Sequence, residues 1–367
     1  MVRSGFQVKD IFNLPDGEAE YRIAYDPQSK ARFADLSAKL EPLGLTAWLS
    51  GNTEDCALQI RRRQTPKPSA SRVPVIMALL TVLFVIVAGI LEMYVFETFA
   101  PTIPYYVVFV SYVACVVAIL AAHEFGRRYL SEKIGVPPPI SYFILGVAGI
   151  TGFLPSLGVL SRQRAPLLNN DVAFDSALAG PVAVFVISVL LYIISEFASV
   201  QSAAPLIAGV MQVGQFQAQF YNLSIVQMGI DALFSRVVPA STGGYIRLSP
   251  IADAASVGLF LAFLGLIPVA LFEGGQVASA VLRPRARQAA SYVCGLGIMI
   301  FDFPYFWPVG LFVFALSLVA GSRQTRVQLY DEVSGVSSTR RTIFILVLLL
   351  ALCCVPIPQN LASIPLG

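Results

Sequence analysis

Apolar residues in this chain gather into long runs separated by polar or basic segments. The first run starts at Val75, just after Pro74, and reaches Phe96. Further runs follow at 104–125, 173–195, 250–272, 288–301, 305–321 and 342–357. A membrane-crossing helix needs about 20 apolar residues, with about 17 as a lower limit. The 288–301 and 305–321 runs are short and are divided by Asp302, Phe303 and Pro304, so they can form one broken element. The pattern predicts six or seven crossings.

The residues before the first run follow a different pattern. Tyr21 to Tyr25 alternates like a strand, and Lys30 to Leu43 carries Phe33, Leu36, Leu40 and Leu43 at helical spacing. Leu45 to Leu49 and Ala57 to Ile60 read as two more strands around Gly51 and Asn52. This predicts a small βαββ domain within residues 1–66. Lys67 to Ser71 reads as a linker, and 67–367 as the membrane domain. The small domain shows no catalytic pattern, and no signal-peptide pattern appears near Met1. The fold class expected is an all-α polytopic membrane protein with a re-entrant segment and a small N-terminal α+β domain.

Composition agrees with the runs. Hydrophobic residues make up 56% of the 367, and charged residues only 13%. A soluble domain carries about 25% charge, so this chain cannot cover a soluble surface. The net charge of +3 gives no reason to expect nucleic acid as a partner. The five cysteines show neither a CxxC pair nor metal-type spacing, which argues against a disulfide framework.

Basic residues orient the crossings. All but Arg236 and Arg247 of the 25 lysines and arginines fall in alternate segments, which the positive-inside rule assigns to the cytosol. The amino end is then cytosolic. In the 198–249 segment, Gln212, Gln215, Gln217 and Gln219 are too frequent for a lipid-facing span. An amphipathic helix along the outer interface fits it better. Phe303 to Trp307 reads as an interfacial aromatic belt. Asp175 and Asp253 read as helix N-terminal residues favoured by the helix dipole.

The chemistry concentrates at His123, the one histidine of the chain. It opens His123-Glu124-Phe125-Gly126-Arg127 at the end of the second run. Ionisable groups inside a membrane helix are costly and mark functional sites by default. In HExxH, two histidines at i and i+4 bind zinc and the glutamate is general base. Here Arg127 takes the second ligand position. Downstream come Pro137 to Pro139, the Gly-rich Leu145–Gly158 stretch, Ala179-Gly180-Pro181, and Pro268 followed by Glu273-Gly274-Gly275. Broken backbone of this kind survives at membrane depth only where protein or a water-filled cavity covers it.

These motifs, in this order, resemble the site-2 protease family of intramembrane zinc metalloproteases, over about residues 75 to 357. The resemblance implies that His123 and Glu273 would be metal ligands if zinc is bound. Glu124 would be the catalytic base if the chain is active. Gly180, Pro181, Pro268, Gly274 and Gly275 would line or pack a substrate groove. It also implies zinc as cofactor of an active member, and transmembrane segments of other proteins as substrates or clients within a lipid bilayer.

The departures from the family fall on the chemistry. Arg127 replaces the second zinc histidine, Glu273 replaces an aspartate ligand, and the family's asparagine falls at Gly265. Catalytic zinc needs about three protein ligands and a water, and a guanidinium would repel it. An ion pair of Arg127 with Glu273, Glu124 or both can fill the cage instead. Two readings follow. One is a proteolytically inactive scaffold that binds or regulates transmembrane clients; the other is an active zinc endopeptidase cutting near the cytosolic face. A transporter lacks support, because no inverted repeat of broken helices is visible. A prokaryotic cell membrane is the simplest location.

Overall fold

The computed structural model describes residues 2–13, 19–62, 71–146, 154–207, 210–213, 216–219, 223–235, 245–301, 307–322 and 327–357. The linker residues 67–70, residues 147–153 of the Gly-rich stretch, Gln215, Phe303 to Phe306 and Pro358 lie outside them.

The N-terminal domain begins with a one-turn helix α1 (Val2–Gly5), strands β1 (Val8–Asn13) and β2 (Ala19–Ile23), and helix α2 (Ser29–Leu40). Strands β3 (Leu45–Gly51) and β4 (Cys56–Arg62) complete an antiparallel sheet of order β1-β2-β4-β3. The expected βαββ unit therefore gains a further strand at its start. Phe33, Leu36 and Leu40 of α2 are buried against Ile23, Leu49 and Leu58 of the sheet. Leu43 does not join them and is 59% exposed, because Pro42 turns the chain into a 3-10 turn at Glu41–Leu43.

Three described helices are long and apolar enough to cross a membrane: α3 (Val73–Phe99), α4 (Tyr105–Lys133) and α5 (Asn170–Phe197). At 1.5 Å per residue, each is roughly 40 Å long. Along α5, Val182, Val186, Leu190 and Ile194 are exposed, while Gly180, Val184, Ser188 and Tyr192 are buried. A helix that turns its apolar stripe outward and its small and polar residues inward has lipid, not water, as its solvent. The protein is a membrane protein.

The membrane domain is not all-α as expected. Strands β5 (Ile140–Leu145) and β6 (Ser156–Arg162) pair as an antiparallel hairpin where the re-entrant segment was placed. Strands β7 (Val200–Ile207), β8 (Val210–Val213), β9 (Phe216–Gln219) and β10 (Tyr245–Leu248) form a sheet of order β10-β7-β8-β9. Gln212, Gln217 and Gln219 of the 198–249 segment therefore lie in strands, and a short helix, α6 (Ile225–Phe234), follows them within it. Alternating polar residues suit a strand as well as an amphipathic helix.

The 250–272 run is also divided. Helix α7 (Pro250–Leu266) stops before Pro268, and the chain turns into α8 (Glu273–Val281). Ile267 is extended, as a residue before proline prefers. Helices α9 (Pro284–Phe301), α10 (Trp307–Ser322) and α11 (Ser338–Cys354) follow. Helix α7 lies at the centre: its residues from Val257 to Leu266 are almost all buried, and it packs on α4, α5 and α11.

A strap at 327–337 ties the N-terminal domain to this body. Leu49 of β3 donates to the Tyr330 carbonyl at 2.7 Å and accepts from the Glu332 amide at 3.0 Å. On its other side the strap pairs with Leu167, which donates to Gln328 O and accepts from Tyr330 N. Lys30 of α2 reaches Asp171 of α5 at 2.8 Å. Arg340 of α11 holds Asp175 through Nε at 2.9 Å and Nη2 at 2.5 Å. Asp175 is thus half of a fork-shaped ion pair, beyond its expected role at a helix start.

Candidate functional site

His123 and Arg127 lie four residues apart on α4, so one helix face presents both. They are 5% and 3% exposed. The turn after α7 points Glu273, 2% exposed, at the same spot. His123 Nε2 lies 2.8 Å from Glu273 Oε2. A carboxylate only accepts, so Nε2 carries the proton. Arg127 Nε lies 3.1 Å from Glu273 Oε1, which also accepts from Ser161 Oγ of β6 at 2.9 Å. Arg127 Nη1 donates to Ser141 Oγ of β5 at 2.9 Å, and that hydroxyl donates to Glu124. Glu124 stands 3.5 Å from His123 Nδ1 and 3.7 Å from Arg127 Nη1. Its side chain is 24% exposed and lies at the rim.

Two helices meet closely enough to make this possible. A Cβ on Gly180 would lie 2.5 Å from His123 Nε2 and 3.0 Å from Arg127 Cδ. Gly180 is therefore the gap through which α5 passes the His123 and Arg127 side chains. A Cβ on Gly126 would lie 2.7 Å from the Ala179 carbonyl, which makes the same crossing tight from the α4 side. Gly274 and Gly275 serve the turn itself: a Cβ on either would meet the carbonyl of Ile267 or Val269 at 2.0–2.2 Å. The Pro268 carbonyl accepts from Ser291 Oγ of α9 at 2.9 Å. Pro181 lines a cavity with His123, Glu273, Leu120, Leu261 and Gly265. That cavity measures about 20 Å³. It has room for about one water and none for a peptide segment. At Gly265 a Cβ would lie 3.0 Å from Pro181 Cγ, so the wall closes where a larger side chain would stand.

The donor set does not fit catalytic zinc. Among the described residues no group of three or more His, Cys, Asp or Glu is placed to hold a metal ion. The His123 nitrogen that faces Glu273 is protonated by that contact, and both Glu273 oxygens are engaged. The Arg127 guanidinium, 3.1 Å from Glu273 Oε1, puts a fixed positive charge in the cluster, which opposes a dication. The arrangement is a buried network in which two carboxylates face an arginine, an imidazole and two hydroxyls, and His123 Nδ1 is left without a hydrogen bond. Sequence reading brought His123, Glu124, Arg127 and Glu273 together but missed Ser141 and Ser161. Their signal is faint: each is a serine in a short strand, and the two face each other across the β5–β6 pair.

The fold and this cluster define a multi-helix membrane protein whose polar centre is sealed by an ion pair. Known proteins place it further. The chain is similar to "Probable zinc metalloprotease EGY2, chloroplastic" of Arabidopsis thaliana, at 24% identity over 246 residues. It is similar to "Probable zinc metalloprotease EGY1, chloroplastic" of the same plant, at 24% over 252 residues. A third relative is "Probable zinc metalloprotease EGY3, chloroplastic" of Oryza sativa subsp. indica, at 28% over 234 residues. The matches cover 65%, 68% and 61% of this chain, and it spans 40%, 43% and 38% of those relatives' lengths. These relatives are named zinc metalloproteases, which supports the resemblance to the site-2 protease family that the motifs carry. No family model and no solved structure matches it.

Proposed function

We propose that this protein is a proteolytically inactive member of the site-2 protease fold that binds or regulates transmembrane segments of client proteins. The supporting observation is the buried Arg127–Glu273 contact at 3.1 Å, which takes the place of a metal. The N-terminal domain and the mouth of the cluster face the cytosol in this reading, as the distribution of basic residues suggests. The protein resides in a cell membrane, of a prokaryote in the simplest case, and its clients are membrane proteins rather than nucleic acids. Its scaffold meets them in the bilayer near Gly180, Pro181 and the Pro268–Gly275 turn.

The test is elemental mass spectrometry on the detergent-purified protein after mild chelation. No zinc is expected. About one zinc per chain would reject the proposal and favour the second reading, an active zinc endopeptidase with Glu124 as base. That reading draws support from the names of the relatives. Under it, Glu124→Gln would abolish cleavage of a transmembrane reporter.

A further inference from the structure

The strap lies between two other stretches of main chain. On one side it pairs with Leu49 of β3, and on the other with Leu167. The Asp331 amide also donates to the Leu168 carbonyl at 3.0 Å. Leu168 directly precedes Asn169, whose side chain caps α5 by accepting from the Val172 amide. Main-chain hydrogen bonds therefore run from the N-terminal sheet, across the strap, to the start of α5. Leu168 packs on the core of the N-terminal domain, together with Tyr330 and Val333 of the strap.

Polar side chains repeat this connection. Lys30 of α2 donates to the Gly335 carbonyl at 2.8 Å and reaches Asp171 at 2.8 Å. The Ser337 amide donates to Asp171 Oδ1 at 2.9 Å, and Asn170 Nδ2 donates to the Ser334 carbonyl at 2.9 Å. Asp171 thus joins the N-terminal domain, the strap and the first turn of α5.

The far end of the strap reaches the helices that close the polar centre. Val336 is buried in one apolar cluster with Phe174 and Ala177 of α5 and Val277 and Ala278 of α8. Ala177 stands three residues before Gly180, and Val277 four after Glu273, so each shares a helix face with that residue. Gly180 is where α5 passes His123 and Arg127, and Glu273 is the partner of Arg127. Close-packed interiors pass a displacement on to their neighbours.

We infer that the N-terminal domain is a clamp on the polar centre: its hold on the strap sets how α5 and α8 lie against each other, and with them the Arg127–Glu273 contact. Displacing the domain withdraws the strap from both helices and loosens Glu273 from Arg127. The coupling is independent of whether the centre takes up zinc.

Hydrogen exchange read by mass spectrometry, on the full-length protein in detergent, tests the clamp. Lys30→Ala removes the contacts to Asp171 and Gly335. Tyr330→Pro removes an amide that donates to the Leu167 carbonyl at 2.8 Å. Lys39→Ala is the control: it takes the same charge from the same helix, where Lys39 pairs with Asp35 on the surface. Both clamp variants should speed exchange several-fold in 171–181 of α5 and in 273–281 of α8, with α3 and α10 at wild-type rates. If Tyr330→Pro does not fold, Lys30→Ala decides alone. Wild-type rates in 171–181 and 273–281 overturn the clamp, however far the strap and the N-terminal domain loosen. So does an equal rise in all helices, or the same pattern in Lys39→Ala, since either would report general destabilisation.

Discussion

Arg127 Nε stands 3.1 Å from Glu273 Oε1, and neither side chain is more than 3% exposed. Neither charge has water to fall back on. Removing one partner from a buried pair costs about 3–5 kcal/mol, because the other stays charged and unpaired. Arg127→Ala should therefore lower thermal stability by several degrees or prevent folding. A variant with wild-type stability would show that the pair does not hold the helices together. Arg127→Lys should recover little, since a single ammonium cannot meet Glu273 and Ser141 at once.

Gly180→Ala should destabilise as well, by about 1–3 kcal/mol, because its Cβ would sit 2.5 Å from His123 Nε2. Gly229→Ala is the control. That glycine lies within α6 and a Cβ there meets nothing within 4 Å. The control should be neutral or stabilised by up to about 1 kcal/mol through helix propensity. Equal effects in the two variants would remove the claim that α5 must pass close to the cluster.

Arg127→His with Glu273→Asp should let the cage take up zinc, because the pair of changes removes the guanidinium and restores a histidine at i+4. Zinc content after chelation is the readout. If the double variant binds none, obstacles other than Arg127 stand in the way. Gly265 is the first to examine, since it sits against Pro181.

The strap makes its own prediction through Cys56. That thiol is 1% exposed, and burial, with Asp331 and Asp55 adding to it, pushes its pKa up to about 11. Cys56 should resist maleimide at neutral pH while the protein is folded. Arg340→Ala removes contacts to Asp171, Asp175 and Ser337 at the foot of the strap. It should cost about 1–2 kcal/mol and speed labelling of Cys56. Unchanged labelling would mean that the strap does not protect this domain.

The sequence announced what depends on spacing. His123 and Arg127 meet because i and i+4 share a helix face, and the apolar runs mark helices by length. The contacts it concealed are long-range. Ser161 reaches Glu273, and Leu49 reaches the strap, through pairings that no local pattern encodes. The sheet of β7 to β10 was hidden for a related reason, since its strands alternate without a strong apolar face. The break in the 250–272 run was announced by Pro268, but hydropathy alone counted straight across it.

The parallel bridge between Leu49 and Asp331 also sets an order of assembly. The edge strand that covers β3 is made about 280 residues after it, roughly 15–60 s later at ordinary rates of synthesis. Until then the domain that holds β3 has an open edge, and every apolar helix from α3 to α10 is made before the edge is covered. The mature N-terminal domain is thus a receipt for completed insertion: a chain that stalls in the translocon keeps an unpaired strand exposed, the kind of edge that quality-control factors and aggregation both find.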